Sequence, residues 1–369
     1  MIAGRLRWLG LIAGSLLTLG GVSGCDVARL TLGAFDLERY DALETLTQEI
    51  PYGGQRVVID SQIGKVVVRG RGEPGYVAWR PLLQITVVKK VRGLDLEDVR
   101  VSVVQDEEEI RVRAELEAPW LGRRLRLLPP GIEENVGWVE LTLAVPPGVS
   151  LKVDQELGLL DVEGVQGELE AAVGTGEIVV RRSEFSSLAL RSEVGDLSLR
   201  GISAGQLEAR SEMGSLRVEG ASFARATLSS ELGDIAVEES RGDALQASTQ
   251  MGGLEIRRSQ LGSVRLESQM GSIALADTEP GGGWVSTQLG SIRLALPPTS
   301  PTLRVRAETQ MGRIRLRGAE AVPTLDARWD LAWPGQALTL SFGEERELEE
   351  RRTLRLSTRL GSIEIVLGP

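Results

Sequence analysis

The sequence predicts an all-β chain wound as a single-stranded parallel β-helix, a β-solenoid, with coils of about 19 residues. Three observations lead there. Segments SEVGDLSL, SEMGSLRV, SELGDIAV, TQMGGLEI, SQMGSIAL and TQLGSIRL place Gly195, Gly214, Gly233, Gly252, Gly271 and Gly290 at a constant spacing of 19, and such a period marks stacked repeats. Apolar residues alternate on both sides of each glycine; for Gly195 they are Leu188, Leu190, Val194, Leu197 and Leu199. That is the period of two short strands meeting at a glycine and not of a helix. Finally, the chain holds 44 Gly and only 4% aromatic residues, so its core must be aliphatic. A 19-residue unit cannot bury its apolar face alone, and stacking is what closes the core.

Taken in chain order, residues 1–24 read as a secretory leader. Arg5 and Arg7 precede an apolar stretch from Trp8 to Leu19 and a small-residue segment, the pattern of a removable signal. Residues 25–49 read as a lipidated tether with a weak helix, since Leu37, Tyr40, Leu43 and Leu46 fall near helical spacing. Residues 50–150 begin the solenoid with strands at 57–68, 76–88, 99–104, 110–116 and 136–145, and looser repeat copies sit at Gly64, Gly158 and Gly176. The excursion 118–131 carries Trp120, Arg123, Arg124 and Arg126. These mix charge with apolar surface and are candidates for partner contact, although a hairpin against the solenoid side is the plainer reading. Residues 151–317 form the repeat solenoid, ending with Gly312. Residues 318–369 combine an insertion, a candidate cap over an open strand edge, with the last repeat at Gly361. About ten coils stacked at roughly 4.8 Å would give a rod of about 50 Å.

Composition excludes several chemistries. The chain has no His and a single Cys, Cys25, which removes imidazole bases, His-ligated metals, structural zinc and intrachain disulfides. Without the two leader arginines, 40 basic residues face 52 acidic ones, so a nucleic-acid partner is not expected. Position −1 to the glycine, Val194, Met213, Leu232, Met251, Met270, Leu289 and Met311, reads as core, with unbranched Met filling space at the turn. Position −3 is Ser or Thr, from Ser192 to Thr358, a column in which hydroxyls can donate and accept along the stack. Position −2 points outward as Glu193, Glu212 and Glu231, then Gln250, Gln269, Gln288 and Gln310. Three carboxylates one coil apart could hold Ca²⁺; a solvated face relieved by Arg191 and Arg210 is the simpler expectation. No cofactor motif is present.

Val22-Ser23-Gly24-Cys25 resembles the bacterial lipobox, in which the Cys is acylated and the leader removed just before it. Two or three acyl chains hold a protein at a membrane without a spanning helix. The run VELTLAVPPGVSLKVDQELGLLDVEGVQGELEAAVGTGEIVV at 139–180, with the Gly-centred units after it, resembles the putative-adhesin, toast-rack-like family of bacterial envelope proteins and right-handed β-helices generally. The resemblance covers residues 50–366 and implies that fold and an envelope location. It carries no catalytic residues. The expected function is a non-enzymatic, lipid-anchored binding or scaffold protein with an envelope protein or glycan ligand, self-associating through its ends if these stay open. The alternatives are a β-helix lyase or hydrolase, and a sensing lipoprotein. Only Lys65, Lys89, Lys90 and Lys152 are lysines, and none lies in the strict repeat, where such enzymes carry clustered Asp, Lys or Arg.

Overall fold

A computed structural model describes residues 40–70, 81–117, 136–296, 304–318, 325–330, 335–342 and 353–367. Among the described residues, twenty-eight strands form one continuous hydrogen-bonded system, and the only helical element is a 3₁₀ turn at Leu96–Asp98. Each repeat contributes a long strand and a short one, for example Ser203–Met213 followed by Leu216–Glu219. Both pair in parallel with their counterparts 19 residues away, Leu207 with Leu188 and Ala226, and Leu216 with Leu197 and Ile235. The parallel β-solenoid follows from this register.

The core columns interlock. Positions −7 and −5 alternate size, with Leu207 beside Ala209, Ala226 beside Leu228 and Leu245 beside Ala247, all buried. These three coils each supply one large and one small side chain, reversed from one coil to the next, so that the pair's volume stays nearly constant along that part of the stack. Positions +2 and +4 add unbroken aliphatic ladders, such as Leu197, Leu216, Ile235, Leu254, Ile273 and Ile292. Two further buried columns lie outside the alternation around the glycine. One runs Ser183, Ile202, Ala221, Ser240, Ser259 and Thr278; the other begins Phe185, Ala204, Phe223. Gly242 continues the second because a Cβ there would meet the Phe223 ring at 2.1 Å.

Two corners close each coil. At Gly252 φ is 151°, and a Cβ would stand 2.2 Å from the Gly233 carbonyl oxygen, so both the dihedral and the contact demand glycine. The second corner, six residues on, is left-handed. It is occupied by Gly201 and Gly220, and then by Glu239, Arg258 and Asp277 at φ near 50°, a conformation costing non-glycine residues about 1 kcal/mol each.

The ends depart from sequential stacking. Arg56–Gly70 is one long strand pairing on one side with Val149–Glu163 and on the other with Glu109–Leu116 and Val136–Val145. A later segment therefore lies beneath an earlier one. Antiparallel strands finish this end: Val99–Gln105 on one ribbon, and Leu82–Arg92 then Ala42–Pro51 on the other. The helix expected within 25–49 is corrected over its described part, since residues 42–51 form an edge strand in which backbone pairing outweighs local apolar spacing. At the opposite end the last repeat is not outermost. Thr353–Leu360 and Ile363–Leu367 insert between the coil of Gly290 and that of Gly312. The hairpin Leu325–Asp330 and Gln336–Phe342 pairs antiparallel onto the outer edge of Arg304–Met311. The neighbouring short strand receives a side-chain substitute, Ile314 N–H donating to Gln336 Oε1 at 3.1 Å.

Candidate functional site

The outward face of the long strands presents positions −6, −4, −2 and −1 in register from coil to coil. Its backbone is fixed by the inward −3 hydroxyls. Ser211 Oγ donates to Gly195 O at 3.1 Å, Ser230 to Gly214 O at 3.0 Å, Thr249 to Gly233 O at 3.1 Å and Ser268 to Gly252 O at 3.1 Å. The column therefore does not run hydroxyl to hydroxyl, as the sequence suggests. Each hydroxyl instead satisfies the glycine carbonyl of the preceding coil, the stronger acceptor at that distance. Ser192, fully buried, makes no such bond among the described residues.

Position −1 does not belong to the core. Val194 is 8% exposed, but Met251 and Met270 are 45% and 46% exposed, Leu289 44%, Leu360 38% and Met311 65%. The cause is local. Strand pairing skips residue −2, as at Glu193, Glu212 and Gln250, so the chain already turns toward the glycine corner and side-chain alternation fails there. Residues −2 and −1 both face solvent. The result is an apolar ledge along the outer edge of the face, in the spatial order Met251, Met270, Leu289, Leu360, Met311.

The −2 carboxylates are separate residues on a ladder. Arg191 lies 3.5 Å from Glu212, and Arg210 lies 3.2 Å from Glu231. Burial pushes the Glu193 carboxyl above its ordinary range, and the neighbouring Glu212 charge pushes it further in the same direction. Among the described residues no three carboxylates converge as metal ligands; Glu193, Glu212 and Glu231 extend along the stack instead. Asp196 and Asp234 have a structural role missed in the sequence. Their Oδ1 atoms accept the N–H groups of Ser215 at 2.8 Å and Gly253 at 2.6 Å, bridging consecutive corners. On the opposite, short-strand side, burial disfavours an ionised Asp161. Hydrogen bonds from Arg69 and Arg181, at 3.0 and 2.7 Å, outweigh that and hold its carboxyl below the usual range.

Between the coils of Gly214 and Gly290 the long-strand face sinks into a shallow depression of about 360 Å³. It is lined by Gln250, Gln269 and Gln288 in one column and by Ser229, Ser248, Glu267 and Ser286 in the next, with Glu231 and Arg210 at the end nearer Gly214. Trp284, 47% exposed, precedes Ser286 by two residues on the same outward side, with Arg265 5.8 Å from its ring centroid. The aromatic signal was legible by reading the −6 column: Thr227, Gln246, Arg265, Trp284. Cys25, Trp120, Arg123, Arg124 and Arg126 lie outside the described residues.

Comparison with known proteins bears on the fold. Three solved structures align over much of the chain. A putative adhesin from Bacteroides fragilis NCTC 9343 is 14% identical with a TM-score of 0.32, covering 87% of this chain and 97% of that one. A putative cell adhesion protein from Clostridium sporogenes ATCC 15579 is 8% identical at 0.19, covering 89% and 100%. A putative adhesin from Parabacteroides merdae ATCC 43184 is 9% identical at 0.34, covering 69% and 90%. Likeness at this level carries no argument of its own. No curated protein is matched. The family model described as Toastrack DUF4097 matches residues 102–314, more than half the chain and nearly all of the 19-residue register derived above, and the chain belongs to that family.

Proposed function

We propose that this protein is a non-enzymatic, lipid-anchored binding or scaffold protein of the bacterial cell envelope, adhesin-like in that it engages its ligand through one extended face. The observation that carries this reading is the long-strand face, where polar side chains repeat coil after coil while the carboxylates lining the depression are tied to arginines. Glu231 is paired with Arg210 and Glu267 with Arg265, at 3.2 and 2.8 Å. A hydrolase needs a carboxyl able to give up or take a proton beside the substrate, and an arginine clamp works against that. The repeat as a whole serves as a rigid display.

Anchoring at Cys25 through the leader 1–24 supports the envelope assignment, and no described helix is long and apolar enough to cross a membrane. We divide the chain accordingly into leader 1–24, tether from Cys25, entry region to 150, repeat solenoid 151–317 and closing segment 318–369. Two experiments test the reading. Cys25→Ala should move the protein from membrane to soluble fractions; persistence in the membrane would count against acylation. The soluble chain should co-sediment with isolated envelope fragments and leave them intact. Release of soluble fragments that Glu231→Gln abolishes would show an enzyme instead.

A further inference from the structure

The reading above leaves the ligand open, and the depression on the long-strand face narrows it. Resting on that reading, we propose that this depression is a run of subsites for a neutral, extended, β-linked glycan, with Trp284 as its stacking platform. Charge balance is the first argument. The only ionised groups lining the depression are Arg210, Glu231 and Glu267, and the two carboxylates are already paired, Glu231 with Arg210 and Glu267 with Arg265. An anionic or cationic polymer would have to break those pairs and would gain no net field.

Hydrogen-bonding supply is the second argument. The carboxamides of Gln250, Gln269 and Gln288 make no hydrogen bond among the described residues, and each offers donors and an acceptor. They recur at the interstrand repeat of about 4.8 Å. An extended β-linked glycan of similar rise places one sugar over each coil, successive sugars offering alternate edges, and carboxamides that both donate and accept can serve either edge. Trp284 supplies what amides lack: Arg265 lies over part of its ring, and the solvent-facing remainder of the half-exposed indole is an apolar, electron-rich surface on which the C–H face of a pyranose packs. Met251, Met270 and Leu289 form an apolar rim on the other side. An extended peptide fits less well. It gains affinity by adding to a free sheet edge, and the strands of this face are hydrogen-bonded on both sides.

Isothermal titration of the mature chain, made soluble by Cys25→Ala, tests the assignment. The probes are a β-1,4-linked glucose hexamer, a β-1,4-linked N-acetylglucosamine hexamer and an uncharged extended peptide. At least one hexamer should bind with an affinity that changes little between low and high salt. Trp284→Ala should weaken it about tenfold or more and Gln269→Ala about threefold, whereas Trp284→Phe keeps the platform and most of the affinity. Both sites are exposed, so melting temperatures should not move. Failure of both hexamers, binding indifferent to Trp284→Ala and Gln269→Ala, or preference for the peptide would overturn the assignment. If the hexamers fail while envelope co-sedimentation persists, the glycan assignment falls alone; if both fail, the binding reading falls with it.

Discussion

Single residues in this fold are constrained by their place in a column, so chemically similar neighbours should respond differently. Ser211 Oγ caps a glycine carbonyl whereas Ser192 Oγ is buried without a partner. Ser211→Ala should cost about 1 kcal/mol of unfolding free energy and Ser192→Ala should be neutral or stabilising, as read by chemical denaturation. Equal losses would mean that the glycine carbonyl does not need its cap. Gly252→Val should cost about 3 kcal/mol or more, because of its positive φ and the Gly233 oxygen behind it, while Glu255→Ala on the outward side should change little. For Glu193 the folded carboxyl titrates above its ordinary value, from burial first and Glu212 second. The folded state then holds the proton longer than the unfolded one, so stability falls as pH rises from the ordinary carboxylate range through the raised value. Glu193→Gln should therefore stabilise at neutral pH and lose that advantage in acid. A gain that is the same at both pH values would contradict this.

At the scale of the element, the coils of Gly214, Gly233 and Gly252 each set a large residue beside a small one between two corners. Ala247→Leu, beside Leu245 and under Leu228, should destabilise by about 1–3 kcal/mol through overpacking, and adding Leu245→Ala should recover part of it because the pair's volume is restored. No recovery would mean that the columns pack independently. The four ladders at −7, −5, +2 and +4 were legible in the sequence, since a register of 19 aligns them whatever the turns do. Position −1 was misread for a physical reason: alternation assumes a straight strand, and the chain bends at −2, turning Met251 and Met270 outward. The second corner was visible in Gly164, Gly201 and Gly220. Glu239, Arg258 and Asp277 hide it, because a left-handed conformation at those residues is imposed by the stack and not by their own preference.

Across the whole molecule, the order of coils is what the sequence concealed. Near-identical units such as TQMGRIRL and TRLGSIEI carry no label saying which stacks first, and pairing over such distances is set by how the ends close. The final coil sits between those of Gly290 and Gly312, so removing residues 353–369 should open two strand edges at once. We expect concentration-dependent association of the truncated chain in sedimentation velocity, reversed by a peptide spanning 353–367. A monomeric truncated chain with unchanged melting would contradict the inserted arrangement. The candidate site was legible in part: the Glu-to-Gln outward column was plain, while the depression and the position of Trp284 beside it required the register. The central claim is that one face of this stack binds and the other does not. The most direct measurement is retention on envelope fragments of a variant carrying Gln250→Ala, Gln269→Ala and Trp284→Ala, beside one carrying Arg217→Ala and Glu255→Ala on the short-strand side. Loss of retention confined to the first is the predicted result. Equal retention, or loss confined to the second, would contradict the account.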